Sequence, residues 1–464
     1  MSRADRLGEE KINKLLWSLS APAIVGMLSI SVYNITDTIF IGHSVGKLGI
    51  AGISVALPLL LLIGTFGHMI GLGGASIISR ALGAKNKEKA TLTLHNLVML
   101  ILSINIVLMI LVATKLSFLL KVFGANEEII PYAMQYTKWA LPGSFFINIV
   151  FVLVNQIRAE GNAKFPMLSQ ISSSVINLII DPIFIFGFGW GMMGAGLATS
   201  ISQFIIAIMA FWYFSYNPKS VLKLNFKQIF TIPDKLITKE TFSIGASSFG
   251  RQAASSIMAI ILNNALLYYS GAAAIAAFGI IHRISMFIFM PLFGINQGFM
   301  PIAGYNYGAK KYDRVLSVLK TAIAWSTGLC IFALLLFSVF SETFIRFFTT
   351  DRQLIDIGSK ALKIFIIAFP VVGIHIIGSG LFQVLGKAKA SFFLAVSRQL
   401  LFLIPCVFIF PLIWGKDGIW FSFPVADVCA AIVTLVLIMY LVKKLKKDIP
   451  SQRINQSEFI EVYP

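Results

Sequence analysis

The chain has 464 residues, of which 57% are hydrophobic and only 12% are charged, and its mean hydropathy is +0.84. Apolar runs long enough to cross about 30 Å of hydrocarbon recur along the whole chain, which predicts an all-α polytopic membrane protein and excludes a β-barrel with its short alternating segments. The net charge of +18 does not indicate a nucleic-acid partner, because the basic residues lie in short loops between the apolar runs.

Twelve apolar runs, separated by Gly, Pro and charged residues, predict twelve transmembrane helices. We place them at 15–41, 50–80, 93–114, 131–156, 165–187, 192–216, 237–268, 275–305, 318–341, 358–384, 391–413 and 418–442. The first run is too long for the core of a signal peptide, so we expect it to remain as the first span. With the N-terminus inside, 26 basic residues fall in cytoplasmic segments and nine outside, which predicts that both termini are cytoplasmic.

The chain also matches itself at a fixed offset. Gly83 in ALGAKNKEKA corresponds to Gly308 in YGAKKYDRV, 225 residues later, and residues 161–164 correspond to 386–389 at the same offset. Each half holds six spans, an even number, so we expect two six-helix lobes of the same topology, related by a pseudo-two-fold axis along the membrane normal. The predicted order is a cytoplasmic N-terminus (1–14), an N-lobe (15–216), a cytoplasmic linker (217–236), a C-lobe (237–442) and a cytoplasmic C-terminal tail (443–464).

Four polar residues of the first half lie in apolar runs. An ionisable side chain at bilayer depth costs roughly 2.5–3.5 kcal/mol on insertion scales, so Asp37 and Asp181 mark a candidate pathway for ions, protons or substrate. Asn177 precedes Asp181 by four residues and shares its helix face, and Thr199 falls at a similar depth on the next span. Their oxygens suit Na⁺, and a close carboxylate pair also suits a proton. The alternative is that each group is hydrogen-bonded within the helix bundle.

Several segments make the chain similar to a known family. They are YNITDTIFIGH, GGASIISRALGAKN, INLIIDPIFIFG and GMMGAGLATSISQ. Over essentially its full length the chain resembles the MATE (multidrug and toxic compound extrusion) transporters, and within them the bacterial branches called MepA-like and DinF-like. The resemblance implies export of organic, mostly amphipathic and often cationic compounds in exchange for H⁺ or Na⁺. It also implies a cation-coupling site made of Asp37, Asn177, Asp181 and Thr199.

The second half lacks the acidic pair of the first. The repeat partner of Asp37 falls at Asn263 or Asn264, so we expect no second cation site. Instead, four basic side chains and one acid lie within its apolar runs: Arg251, His282, Arg283, Arg398 and Asp427. Their estimated depths predict an ion pair between Arg283 and Asp427. The alternative is that the arginines face a cleft unpaired and attract anionic or zwitterionic amphiphiles. For the N-lobe we expect no buried base.

These features favour a secondary active exporter that works by alternating access. The alternative is a flippase for a lipid-linked precursor or oligosaccharide, which would share the fold. A channel or receptor is disfavoured by the two-lobe repeat, and an enzyme by the lack of a nucleophile–base set or phosphate-binding loop. We expect no catalytic residue and no cofactor except the coupling ion, with no metal site apart from Na⁺. The expected partners are small amphipathic molecules and the lipid bilayer, and the protein is expected to be a monomer in the plasma membrane.

Overall fold

The structure is a computed structural model that describes residues 3–225, 229 and 232–461, and none of these residues forms a β-strand. A short N-terminal helix (Arg3–Glu9) precedes twelve long helices, and the predicted all-α fold with twelve transmembrane helices is confirmed. In chain order the helices are α1 (Ile12–Ser44), α2 (Lys47–Gly83), α3 (Lys87–Val122), α4 (Ile130–Ala159), α5 (Lys164–Gly187), α6 (Gly191–Tyr216), α7 (Lys235–Ser270), α8 (Ala272–Gly308), α9 (Tyr312–Arg346), α10 (Arg352–Phe365 and Phe369–Val384), α11 (Ala388–Trp414) and α12 (Lys416–Glu461). Residues 1–2 of the predicted N-terminus, 226–228 and 230–231 of the predicted linker, and 462–464 of the predicted tail lie outside the described residues.

The helices are longer than the apolar runs that predict them. Among the described residues, ten are long and apolar enough to cross a bilayer alone, and the two segments of α10, bent by 57°, make an eleventh span. The twelfth is α1, whose 33 residues exceed the roughly 20 that a span needs. An apolar run in the sequence marks only the part of a helix that lies in hydrocarbon, and a helix can continue beyond the bilayer. Accordingly, α3 extends on both sides of the predicted range 93–114. For the same reason α12 does not end at 442 but continues into the predicted tail.

The internal repeat is visible in the backbone as well as in the sequence. Lys85 and Lys310, 225 residues apart, both have left-handed backbone angles, with φ of 57° and 59°. Lys115 in α3 and Phe340 in α9, again 225 residues apart, both interrupt their helix with non-helical angles. Matching conformations at matching positions show that α1–α6 and α7–α12 are two copies of one six-helix lobe.

Among the described residues, the main apolar contact between the two lobes lies toward one end of the molecule. The largest cluster of buried apolar side chains lies at the end that carries both termini, and it joins Ile78 and Ile157 of the N-lobe to Ile302 and Leu381 of the C-lobe. Toward the other end, each lobe has a separate cluster of its own. We call the first end the termini face and the other the distal face. The cleft between the lobes therefore opens toward the distal face.

Two symmetry-related glycines allow this close contact at the termini face. Gly83, at the end of α2, packs against the backbone of Tyr305 in α8, and its repeat partner Gly308 packs against the backbone of Arg80 in α2. A Cβ atom at either position would overlap those backbone atoms. The helix ends can therefore cross at this distance only because neither glycine has a side chain.

Polar contacts reinforce the apolar contact between the lobes. The hydroxyl of Ser76 in α2 shares its proton between the carbonyl oxygens of Gln383 (2.9 Å) and Val384 (2.8 Å) at the end of α10. The Gln383 carbonyl also accepts from the N–H of Gly386 (3.1 Å). Close by, Nη2 of Arg80 lies 2.8 Å from Oε1 of Glu240 in α7. Both interactions join the N-lobe to the C-lobe, and both must break if the cleft is to open on the termini face.

The N-terminal helix lies across both lobes. On the C-lobe side, Asn306 Nδ2 donates to the carbonyl of Leu7 (2.8 Å) and Arg314 Nη2 donates to that of Glu10 (2.8 Å). On the N-lobe side, Arg3 Nη1 donates to the hydroxyl of Tyr213 (3.0 Å). This short helix therefore acts as an additional tie between the lobes on the termini face.

The start of the linker is fixed to the N-lobe through Glu160, which follows α4. The Glu160 carboxylate accepts hydrogen bonds from the Ser220 hydroxyl (3.1 Å) and from the backbone N–H groups of Val221 (3.0 Å) and Leu222 (3.4 Å). Burial raises the pKa of Glu160 above its usual range, and these hydrogen bonds oppose that rise. The chain therefore leaves the N-lobe from a fixed point.

We predict that Glu240→Gln increases the population that is open at the termini face. The Arg80–Glu240 pair is partly exposed, so its loss should cost about 1 kcal/mol, equivalent to about fivefold in the conformational equilibrium. Distances between spin labels on the ends of α2 and α8 would measure the shift. The control is Glu342→Gln, which removes an exposed pair with Arg346 near the distal face and should leave the distances unchanged. Identical distance distributions for Glu240→Gln and the wild type would refute a locking role.

Candidate functional site

The N-lobe encloses a group of ionisable and amide side chains between α1 and α5. Asp37 in α1, and Asn177 and Asp181 in α5, are 7%, 2% and 0% exposed. The two helices pack along each other, and α6 packs against α5. The Asp37 carboxylate is near enough to Asp181 to act on it electrostatically. The structure thus brings together three of the four residues that the sequence predicts for the coupling site.

These buried polar groups lack protein partners. Among the residues that the structure describes, Oδ1 of Asp37, both side-chain polar atoms of Asn177 and both oxygens of Asp181 have no hydrogen-bond partner. Each unsatisfied buried group costs about 1–3 kcal/mol, and more if it is charged. Two neighbouring carboxylates also repel each other unless a proton or a cation lies between them. The alternative of a bundle already satisfied by its own hydrogen bonds does not fit this group.

Local sequence explains why α5 is irregular at this point. Pro182 directly follows Asp181 and has no N–H to donate, so the regular α-helical bonding is interrupted. The helix continues as one π-helical turn, Ile183–Gly187. Such turns insert an extra residue and are frequent at functional sites. The acid is therefore followed at once by a backbone segment that can change its hydrogen bonding at low cost.

The fourth predicted residue has a different environment. Thr199 in α6 is only half-buried, and its hydroxyl does not belong to the group of buried, unsatisfied polar atoms described above. Its carbonyl oxygen accepts a hydrogen bond from Ser202 (3.0 Å). Its role at the coupling site stays a prediction from the family resemblance.

In the C-lobe, the predicted ion pair between Arg283 and Asp427 is wrong. Asp427 in α12 is 2% exposed and pairs through Oδ1 with Nε of Arg398 in α11, whereas Arg283 and His282 in α8 are exposed. Depth counted along each helix cannot tell which helix packs beside α12. The neighbour is α11, whose π-helical segment Ser397–Leu403 carries Arg398 against α12.

Arg251 has no acidic partner within 4.0 Å among the described residues. It lies half-buried in α7, and its Nη2 donates to the hydroxyl of Ser379 in α10 (3.1 Å). Arg251, Arg398 and His375 line a cavity of about 70 Å³ in the C-lobe, which is partly open to its surroundings. Of the five predicted C-lobe residues, the structure thus joins Arg398 to Asp427, places Arg251 beside them, and leaves Arg283 and His282 apart.

The expectation that the N-lobe has no buried base is also wrong. Arg158, in the last turn of α4, is 7% exposed; its Nη1 donates to Asn155 Oδ1 (3.2 Å), and its Nε has no partner among the described residues. It lines a cavity between the lobes together with Gln297 and Met300 of α8. Because Arg158 lies next to a charged loop in the sequence, the sequence alone suggests an exposed position for it. The spacing of Asn155 and Arg158, one turn apart on one face, is the signal that points to it.

We predict that Arg398→Ala destabilises the protein, because it leaves a buried Asp427 without its counter-charge. The expected loss is about 3–5 kcal/mol, measured from thermal or denaturant unfolding in detergent. The double change Arg398→Ala/Asp427→Ala should cost less than the sum of the two single changes, because no unpaired charge remains. Arg346→Ala, which removes the exposed partner of Glu342, serves as the control and should change the unfolding midpoint little. Additive losses in the double variant would show that the two groups do not interact.

Comparison with known proteins agrees with this architecture. The MatE family model matches the chain twice, at residues 22–183 and 248–409, which together make up more than two thirds of it. The multidrug export protein MepA of Staphylococcus haemolyticus (strain JCSC1435) is 27% identical over 442 residues, which are 95% of this chain and 96% of that protein. The multidrug export protein MepA of Staphylococcus aureus (strain MSSA476) is 28% identical over 437 residues, or 94% and 95% of the two chains. A solved outward-facing multidrug resistance MATE family transporter has a TM-score of 0.89 at 24% identity and covers 95% of this chain and 98% of that chain.

Proposed function

The chain belongs to the MatE family, and from this membership we propose that it is a secondary active exporter of amphipathic organic compounds driven by H⁺ or Na⁺. The observation that carries the proposal is the group of unsatisfied acidic and amide atoms enclosed in the N-lobe, beside a cleft that opens on one face only. The similarity to multidrug export proteins supports the substrate class. A lipid-linked flippase is not favoured, because no observation in the structure requires a lipid-linked substrate.

The termini face is the cytoplasmic face in this proposal. The basic residues concentrate in the loops and chain ends of that face, as the positive-inside rule requires. The described conformation is then outward-facing. In this state, the proposal requires that the site at Asp37 and Asp181 take up an ion from outside and that substrate leave the cleft.

Binding of a proton or Na⁺ would remove the repulsion between the two carboxylates. The resulting change is transmitted through α1, which contains Pro22, and through the π-helical turn of α5, where backbone hydrogen bonds are already irregular. A ligand shifts a conformational equilibrium only through different affinities for the two states. The coupling ion and the substrate must therefore favour different states, and each must weaken binding of the other.

Proton and sodium coupling make different demands on this site. A proton needs only the close carboxylate pair, whereas Na⁺ would also use an oxygen such as Oδ1 of Asn177. Dye or drug efflux from proteoliposomes with a Na⁺ gradient and a pH gradient imposed separately distinguishes the two ions. Efflux that follows neither gradient would contradict secondary active transport.

We predict that Asp37→Asn abolishes gradient-driven export while the protein still folds. The amide keeps the shape of the side chain but cannot bind a proton or compensate a cation, so efflux should fall to the level of empty liposomes. The unfolding midpoint should change by no more than a few degrees, because a costly buried charge is removed rather than created. Asp356→Asn, a change at an exposed position of α10, is the matched control and should export normally. Normal efflux by Asp37→Asn would place the coupling site elsewhere.

A further inference from the structure

The C-lobe cavity around Arg251 has the features of an anion-binding site. We propose that it binds the anionic group of an amphipathic compound, with Arg251 supplying the charge. This inference rests on the proposed export function, because it specifies a class of exported substrate. It differs from the expectation of mainly cationic substrates that the family resemblance gives.

The charge of the cavity comes from Arg251 rather than from Arg398. Arg398 is compensated by Asp427, which lies 2% exposed against it. Arg251 donates only to the neutral hydroxyl of Ser379 among its described hydrogen bonds, and no described carboxylate lies within 4.0 Å of it. A guanidinium at this depth costs several kcal/mol unless an anion or enough polar groups surround it. The cavity therefore has one excess positive charge.

Other polar groups line the same cavity. His375 in α10 is 8% exposed and lies in the wall together with Arg251 and Arg398. The hydroxyl of Thr434 donates to the carbonyl of Ala430 (2.7 Å) and therefore accepts from Nδ1 of His375 (2.9 Å). This arrangement fixes the ring in one orientation. Arg251, Ser379 and the His375 ring thus give the site a fixed set of polar groups.

Apart from Gln399, whose amide N–H donates to the hydroxyl of Ser255 (3.3 Å), the remaining walls of the cavity are apolar. Such walls favour an amphipathic anion over a small inorganic one. Phe289 and Phe293 of α8 line the cavity and are half-buried, so their rings are available to a ligand. Aromatic faces with one or two charged groups are typical of sites for drug-sized organic molecules. α7 and α8, which carry Arg251 and these rings, are also the C-lobe helices that contact α2 and α1 across the cleft. A movement of the lobes against each other would therefore displace helices that form the walls of this cavity.

The electrostatic contrast between the lobes supports this assignment. In the N-lobe, Asp37 and Asp181 are enclosed between α1 and α5, and in the proposed function they bind the coupling cation together. In the C-lobe, Arg251 has no such counter-charge. An exchanger of this kind would hold the coupling cation in one lobe and the anionic head of the substrate in the other, so the two sites need not overlap.

The test uses three ligands with the same naphthalene body: 2-naphthoate, neutral 2-naphthamide and cationic 2-naphthylmethylammonium. Their affinities for the full-length protein in nanodiscs of uncharged lipid are measured by titration calorimetry. We expect 2-naphthoate to bind about tenfold or more tightly than the amide, as a charge-assisted hydrogen bond allows, and the cation to bind most weakly. Equal affinity of the wild-type protein for all three ligands would overturn the proposal, whatever the variants do.

Three variants then test whether Arg251 causes the preference for 2-naphthoate over the amide. Arg251→Gln should remove the preference for 2-naphthoate over the amide, and Arg251→Lys should retain most of it. Arg352→Gln, which removes an exposed arginine of the same lobe, should leave the preference unchanged. An undiminished preference in correctly folded Arg251→Gln would refute the assignment to this cavity.

The binding test is independent of the ion gradient, so it separates this inference from the export proposal. Asp37→Asn changes the ion site, so it should shift the affinities of all three ligands together. The ratio of the 2-naphthoate affinity to the amide affinity should keep its wild-type value even though the variant does not export. If the wild-type protein prefers 2-naphthoate but exports nothing under either gradient, the anion site stands and the exporter proposal fails. If it exports under a gradient but shows no anion preference, only the anion site fails.

Discussion

The organisation of this protein depends on the cost of enclosing charge in a structure surrounded by hydrocarbon. Where a counter-charge is available, the charge is neutralised in place, as Asp427 is by Arg398. Where none is available, the group must bind something from outside or remain strongly unfavourable. Asp37 and Asp181 in the N-lobe belong to this second class, and so does Arg251 in the C-lobe. The positions of unneutralised charge therefore indicate where ligands are needed, and the apolar helices fix those positions in space.

The two lobes have the same backbone but different chemistry. Paired left-handed residues and paired helix interruptions, each 225 positions apart, show how closely the copies retain one architecture. Polar content is not repeated: the acids of α1 and α5 have no acidic counterparts, and the C-lobe has its charges on α7, α11 and α12. In the proposed export cycle, the shared backbone of the two lobes allows them to move against each other, and the few buried residues that differ allow each lobe to bind its own ligand.

The sequence predicts the fold well because its main determinants are local. Apolar runs, the even number of spans in each half and the 225-residue offset need no knowledge of which helices touch, and the twelve spans and two lobes are confirmed. The grouping of Asp37, Asn177 and Asp181 is also predicted, since two of the three share a helix face. Lateral contacts are not predicted. The partner of Asp427 depends on whether α8 or α11 lies beside α12, and the burial of Arg158 depends on α8 covering the end of α4.

If the protein works by alternating access, as we propose, the contacts on the termini face contribute to the energy difference between the two states of the cleft. Arg80–Glu240, the Ser76 bonds to the end of α10 and the N-terminal helix all act only when that face is closed. Their sum favours the described conformation, so the opposite conformation must gain comparable energy from another source. The uncompensated charges are one such source. A proton or Na⁺ between Asp37 and Asp181 would remove the cost of two buried, repelling carboxylates. An anion at Arg251 would remove the cost of an enclosed guanidinium without a counter-charge. If each ligand prefers a different state, their exchange, rather than either alone, can drive the cleft from one face to the other. The polar ties on the termini face and the unpaired charges in the lobes are then two opposing terms in one conformational equilibrium.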